Sequence, residues 1–118
     1  MTRDSDLGGT GRVRLARLAA QVIARTEGVT ATTGPARRWQ TVGAGQRIDG
    51  VLAVEDVRGR VDLDLHLVVG WPPQMPLEQL GALVRGRLRS AADAAGVGAR
   101  LGAVSVAFED VLAEIESA

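Results

Sequence analysis

Two carboxylates and the only imidazole of the chain alternate along one short segment. Asp62, Asp64 and His66 are separated by single residues, in a sequence that contains one histidine. If this segment is a β-strand, its period of two places all three side chains on the same face. Carboxylate oxygens and an imidazole nitrogen are ligands that divalent metals use. The spacing leaves two alternatives, a metal or catalytic site and the polar outer face of a half-exposed sheet.

A neighbouring strand would add a third carboxylate to this patch. Residues 48–57 and 60–69 have the composition of two strands, and Arg58-Gly59 between them is typical of a tight two-residue hairpin turn. That turn places Glu55 opposite Asp62. However, ligands along one flat strand splay apart rather than converge, and charged residues on a strand are usually solvated. We therefore favour the solvated-face interpretation and expect no metal and no cofactor.

Arginine and tryptophan supply the candidate contact residues. The chain has 14 basic residues, all of them arginine, and a formal net charge of zero. Arginines beside an aromatic ring could bind nucleic acid, but the zero net charge argues against strong phosphate-driven binding. Exposed tryptophan is enriched at protein-interaction hot spots. The candidate interaction residues are Arg14 and Arg17 in the first predicted helix, Arg37, Arg38 and Trp39 in a long loop, and Trp71 at a strand end.

Hydrophobic periodicity predicts the elements that position these residues. Apolar residues recur at helical spacing in two segments, and the second of these follows Pro76, a residue suited to a first helical turn. Together with the hairpin and a final alternating strand, the pattern predicts an α+β two-layer sandwich in the order α-β-β-α-β. Both amphipathic helices would cover one face of a small mixed sheet. The predicted elements are a helix over 12–26, a loop over 33–47, strands over 48–57 and 60–69, a helix over 77–95 and a strand over 103–109.

The length and composition indicate one domain and no recognisable catalytic machinery. With 118 residues and 46% hydrophobic residues, the chain can bury one core. We expect a flexible N-terminal tail over 1–11, a domain over 12–111, and an acidic tail or short helix over 112–118. The absence of cysteine excludes disulfides and cysteine-based metal or redox sites. No phosphate-binding loop or nucleophile motif is present, so we do not expect an enzyme.

The apolar segments are too short to predict a membrane protein. No apolar run approaches the roughly 20 residues that span a bilayer. The first 11 residues are polar and glycine-rich, without the apolar stretch of a signal peptide. We therefore expect a cytoplasmic protein without direct membrane insertion.

Three segments resemble the bacterial alkaline-shock and general-stress protein family. They are the strand Val61-Asp-Leu-Asp-Leu-His-Leu-Val-Val69, the helix over 77–95 followed by Gly96-Val97, and the strand Ala103-Val-Ser-Val-Ala-Phe-Glu-Asp-Val111. The Glu27-Gly28-Val29 ending of the first helix is also similar to the family pattern. The similarity extends over about residues 12–111.

The resemblance implies a non-catalytic protein of the cell-envelope stress response. It also implies self-assembly and docking at the inner face of the membrane through an anchored partner protein. It supplies no catalytic residue. The alternative function is a nucleic-acid-binding module that uses the arginine-rich first helix and the loop residues 37–39.

Overall fold

The computed structural model describes residues 2–32, 40–43 and 45–113, with side chains described for 11–32, 40–43 and 45–109. These residues form two long helices and six strands, five of which lie between the helices in the chain. In chain order the elements are α1 (Thr2–Arg25), β1 (Val29–Ala31), β2 (Gln40–Gly43), β3 (Gln46–Asp49), β4 (Val51–Glu55), β5 (Val61–Trp71), α2 (Leu77–Ala94), a short 3-10 turn (Gly98–Arg100) and β6 (Leu101–Ala113).

Strand β5 is the centre of the main sheet. β6 pairs with it in parallel along one edge, and β4 and β1 both pair with it antiparallel. His66 lies where β4 and β1 meet. Its N–H donates to the Gly50 carbonyl over 2.8 Å and its carbonyl accepts from the Thr32 N–H over 2.9 Å. Because the N–H and C=O of one strand residue point to the same edge, β4 and β1 share the edge of β5 opposite β6.

Both helices pack on the same face of this sheet, which confirms the predicted α+β class. The inward residues of β5 alternate with polar ones and are almost fully buried, as a period of two requires. Residues from α1 and α2 join them in one hydrophobic core. The buried β5 residues are Val61, Leu63, Leu65, Leu67 and Val69.

Helix α2 connects the two parallel strands β5 and β6. Two neighbouring parallel strands need such a crossover connection, because a tight turn can join only antiparallel strands. Gly81 faces the sheet, and a Cβ added there would lie 3.8 Å from both Val106 and Phe108. The missing side chain therefore lets α2 lie close to β6.

Helix α1 begins at Thr2, so the prediction of a flexible tail over residues 1–11 is wrong for residues 2–11. The glycines in this segment have low helix propensity, and for that reason the sequence indicated a flexible tail. In the structure Gly11 is buried, and the guanidinium group of Arg100 lies where a Cβ of Gly11 would be. A tertiary contact that the sequence pattern does not reveal thus accompanies the longer helix.

A second, two-stranded sheet begins inside the segment predicted as a loop over 33–47 and extends into the predicted strand over 48–57, because β3 ends at Asp49. β2 and β3 pair antiparallel, from Gln40 opposite Asp49 to Gly43 opposite Gln46. The Thr41 hydroxyl donates to the Val51 carbonyl (2.6 Å) and accepts from the Ala53 N–H (2.9 Å). These contacts join the hairpin to the border of β4 and explain why residues 40–43 and 46–47 are ordered as strands. Residues 33–39 lie outside the described part of the chain.

The β4–β5 hairpin has a longer turn than the sequence predicted. The Asp56 N–H donates to the Arg60 carbonyl over 2.8 Å, and the Asp56 carboxylate accepts from the N–H groups of Arg58 and Arg60. Gly59 takes the left-handed conformation, with φ of 83°, that a three-residue hairpin loop requires. The two-residue turn predicted at Arg58-Gly59 is therefore wrong, and the strand register shifts by one residue.

This shift changes which side chains share a face. Val54 lies opposite Asp62, and Glu55 lies opposite the buried Val61. A slip of one residue moves a side chain to the other face of the sheet. Glu55 is therefore on the helix side, and its predicted place beside Asp62 is wrong.

The last strand is longer than predicted. β6 continues to Ala113, into the segment expected to be an acidic tail or short helix. Pairing with β5 persists to this point, with Gly70 opposite Leu112 and Trp71 opposite Ala113. Because β5 itself runs to Trp71, it supplies partners for the extra residues. Residues 114–118 lie outside the described part of the chain.

Candidate functional site

His66 is buried between two carboxylates on the sheet face that the helices leave uncovered. Its Nε2 lies 3.1 Å from Asp64 Oδ2, and its Nδ1 lies 2.9 Å from Glu109 Oε2. The histidine residue is 5% exposed, whereas the two carboxylate side chains are about 40% exposed. The structure therefore brings together two of the predicted residues, Asp64 and His66, with a third that the sequence did not indicate.

A β-bulge places Glu109 beside the imidazole. Leu67 lies opposite Phe108 and Val68 lies opposite Asp110, so Glu109 is the extra residue in β6. Such bulges redirect side chains next to functional or structural sites. The alternation of β6 is visible in the sequence, but its parallel register with β5 and the bulge are not. The only sequence signal for Glu109 was its acidic character near the strand end.

The two ring contacts define what this arrangement can do. With a proton on Nδ1 the imidazole donates to Glu109 over 2.9 Å, and Nε2 lies 3.1 Å from Asp64 Oδ2 as a close polar contact. Through Glu109 the ring links β5 to β6, so the contact ties two parallel strands together. Both ring nitrogens face protein carboxylates, which makes this primarily a structural link on the open side of the sheet.

The remaining predicted members of the patch point elsewhere. Asp62 Oδ1 accepts from the Ala103 N–H over 2.9 Å, and Glu55 Oε2 lies 3.2 Å from the Arg100 guanidinium. Glu55 is thus engaged on the helix side of the sheet. Among the residues that the structure describes, no group of three or more Asp, Glu or His side chains converges in a way that could hold a metal ion.

The arginines of α1 contact other elements of the same chain. Arg14 Nη2 donates to the Ala95 carbonyl (3.2 Å), where a cation is favourable because it faces the C-terminal end of α2. Arg17 Nε donates to Gln46 Oε1 (3.1 Å), and Arg12 Nη2 donates to the Val42 carbonyl (2.8 Å). These arginines therefore connect α1 to α2 and to the β2–β3 hairpin. The predicted contact residues Arg37, Arg38 and Trp39 lie outside the described residues.

Trp71 lies at the end of β5 and is 54% exposed. The sequence predicts Trp71 as a candidate interaction residue at a strand end. About half of the residue is accessible, so the ring is available to a partner at the rim of the sheet.

The sheet face opposite the helices, here called the open face, carries small and apolar side chains around His66. Val54 on β4 is 55% exposed, and the register places it opposite Asp62. Leu52 lies opposite Asp64, while Ser105 and Ala107 of β6 lie opposite Asp64 and His66. The open face therefore combines an exposed valine, short side chains and one buried polar link.

Comparisons with protein-family models, with curated proteins and with solved structures find no match for this chain. Across the described residues, neither helix combines the length and the apolar character needed to cross a lipid bilayer.

Proposed function

We propose that this chain is a non-catalytic protein-interaction domain of the cell-envelope stress response that associates with itself and with a partner protein. The observation that carries the proposal is the open face, because both helices lie on the other side of the sheet. Val54 is 55% exposed there, although a valine in a strand normally gains stability from burial. A partner that covers this face would remove the valine from water.

The character of the open face fits a contact surface. Ser105 and Ala107 are short, so a partner can approach the backbone of β6 closely. Asp64 and Glu109 border the buried His66 and remain partly exposed, which provides polar groups at the margin of an apolar area. Interfaces between proteins commonly combine an apolar centre with a polar, accessible rim.

The contacts of His66 support a binding surface over a reaction site. Its two ring nitrogens face Asp64 and Glu109 at 3.1 and 2.9 Å, and the residue is 5% exposed. A general base must reach the proton that it removes, at about 2.6–3.2 Å or through one water. A ring buried between two carboxylates instead holds the strands in a fixed arrangement and presents a preformed surface.

The envelope-stress assignment rests on the sequence resemblance. The three segments that carry it correspond to β5, α2 and β6, which are consecutive elements and adjacent in the fold. The resemblance supports a cytoplasmic location, with attachment to the inner face of the membrane through an anchored partner. Nucleic-acid binding stays an alternative prediction. The contacts of Arg14 and Arg17 with Ala95 and Gln46 give these arginines structural roles and do not favour it.

Capture of a membrane-anchored partner tests the proposal. Tagged chain is recovered from mildly lysed native cells as wild type, as Val54→Asp and as Val57→Asp. Val57 is a matched control, because it is also an exposed valine but lies in the β4–β5 turn, away from the open face. We expect wild type and Val57→Asp to retain the same membrane protein and Val54→Asp to lose it. Equal recovery by all three would contradict a partner contact through the open face.

A further inference from the structure

Strand β6 is an edge strand of the main sheet, and its unpaired edge is here called the border of β6. Among the residues that the structure describes, it pairs only with β5. Its second row of backbone N–H and C=O groups therefore faces away from the sheet and can accept another strand. β6 has 13 residues, compared with about 5–6 in a typical strand. A border of this length is an unusually large template for strand addition.

The first part of β6 lacks the side chains that usually prevent strand addition. Residues 101–108 contain no charged residue and no proline. Proteins usually protect exposed strand borders with charges, prolines, bulges or short strands. Irregularities of register occur near both ends of this stretch, between the partners of Val61 and Leu63 and between those of Leu67 and Val68. Residues 104–108 between them pair regularly and form an uncharged, regular border.

A groove runs beside this border on the helix side. It is an open groove of about 640 Å³, whose apolar floor is Leu77, Gly81, Val106 and Phe108 and whose rim includes Glu78, Gln79 and Arg85. Gly81 has no side chain to cover Val106 and Phe108, and both residues are only partly buried. A strand added to β6 would place its own alternate side chains in this groove. The groove and the free border therefore suit the same occupant, an apolar strand.

A second copy of β6 satisfies this description. Its Val104, Val106 and Phe108 are apolar and lie on one face, opposite Leu63, Leu65 and Leu67 of β5. In an antiparallel pair, side chains directly opposite each other lie on the same face. With Val106 opposite Val106 of the second copy, Val104 lies opposite Phe108, and every groove-facing residue meets another apolar residue.

Charge favours the antiparallel orientation. Glu109 is near the end of the uncharged stretch of β6, which begins with Leu101 and Gly102. Antiparallel pairing about Val106 places Glu109 at the level of the uncharged Ala103 of the second copy, away from the second Glu109. A parallel, in-register pair would instead place acid beside acid, which is destabilising.

We infer that two copies of this chain join through β6, antiparallel and about a twofold axis at Val106, to form one continuous sheet. The inference rests on the self-association proposed above and identifies the surface responsible. The interface consists of the border of residues 104–108 together with the groove beside α2.

Single-cysteine cross-linking tests this geometry, because the natural sequence contains no cysteine. The variants Val104→Cys, Val106→Cys and Phe108→Cys are oxidised mildly and separated on non-reducing gels. Opposite residues of antiparallel strands have Cβ atoms about 4.5–5.5 Å apart, close to the distance that a disulfide spans. The Val106→Cys variant alone places two identical positions opposite each other. We expect its covalent dimer to exceed that of the other two several-fold.

Val54→Cys is the matched control, because Val54 is an exposed strand valine on the open face and not on the β6 border. Equal cross-linking at positions 104, 106 and 108 would indicate parallel pairing and overturn the antiparallel inference. A covalent dimer of Val54→Cys alone would overturn the β6 interface while leaving self-association intact. A wild-type chain that sediments only as a monomer would overturn both the inference and the self-association in the proposed function.

Discussion

At the scale of single residues, the His66 ring determines how β5 and β6 meet on the open face. Asp64 and Glu109 contact its two nitrogens, and the carboxylates would face each other without a shared partner if the ring were removed. The sequence predicted that Asp64 and His66 share a face, because a strand has a period of two. It could not predict Glu109, since the position of Glu109 depends on a bulge in a parallel pair.

We expect His66→Ala to lower the free energy of unfolding by about 1–3 kcal/mol, because buried polar contacts are lost. Urea denaturation measures this loss, and Ser105→Ala, an exposed change on the same face, should have little effect. A double-mutant cycle with Glu109→Ala should give a coupling energy of at least about 0.5 kcal/mol. Additive effects of the two changes would show that the ring and Glu109 do not stabilise each other.

Gly50 occupies a position where a side chain cannot fit. Its φ is 80°, and an added Cβ would lie 2.7 Å from the Ala31 Cβ and 3.0 Å from the Thr32 nitrogen. Gly96 has a similar φ of 78° but nothing within 4 Å. Gly50→Ala should therefore lower the melting temperature more than Gly96→Ala, because only the first adds a steric clash to the backbone strain. Equal shifts would show that β1 moves away from Gly50 without cost.

At the scale of elements, the β2–β3 hairpin stabilises the border of β4 through one hydroxyl. Thr41 contacts both the Val51 carbonyl and the Ala53 N–H, and Thr41 is 1% exposed. Thr41→Val keeps a similar shape but removes the hydroxyl. The Val51 carbonyl and the Ala53 N–H then lose their hydrogen bonds to residue 41. We expect a loss of about 1–3 kcal/mol in unfolding free energy and faster hydrogen exchange at the Ala53 amide.

Thr41→Ser is the control for this prediction, since it keeps the hydroxyl and removes only a methyl group. Its Ala53 amide should exchange nearly as slowly as in wild type. If the valine variant also retained slow exchange, the protection of that amide would have to come from another contact.

The elements that the sequence predicted well are those defined by their own periodicity. Helix α2 was predicted over 77–95 and spans Leu77–Ala94, and β5 was predicted over 60–69 and spans Val61–Trp71. The β2–β3 hairpin was missed because its strands are short and its links to α1 and β4, through Arg12, Arg17 and Thr41, join residues distant in sequence. The β4–β5 register was missed because the Asp56 carboxylate organises a longer turn than Arg58-Gly59 suggested.

Gly86 offers a test of how far α2 can be stabilised. It is an exposed helix residue, and an added Cβ would meet nothing within 4 Å. Gly86→Ala should raise the free energy of unfolding by up to about 1 kcal/mol, because alanine has the higher helix propensity. Thermal and urea unfolding measure the change. A destabilised variant would indicate that α2 needs the conformational freedom of glycine there.

At the scale of the whole molecule, the described residues leave two surfaces available after the helices have covered one side of the sheet. The open face presents Val54 beside the His66 link, and the border of β6 presents an uncharged strand next to a groove. We propose that one chain contacts a partner protein through the open face and a second copy through the border of β6. Each surface has its own variant, Val54→Asp for the face and Val106→Cys for the border.

Sedimentation of the purified wild-type chain at increasing concentration tests self-association most directly. The chain has a mass of 12.3 kDa. We predict that the average mass rises toward twice this value, as antiparallel pairing of two copies requires. A mass that stays at 12.3 kDa up to the highest attainable concentration would contradict self-association.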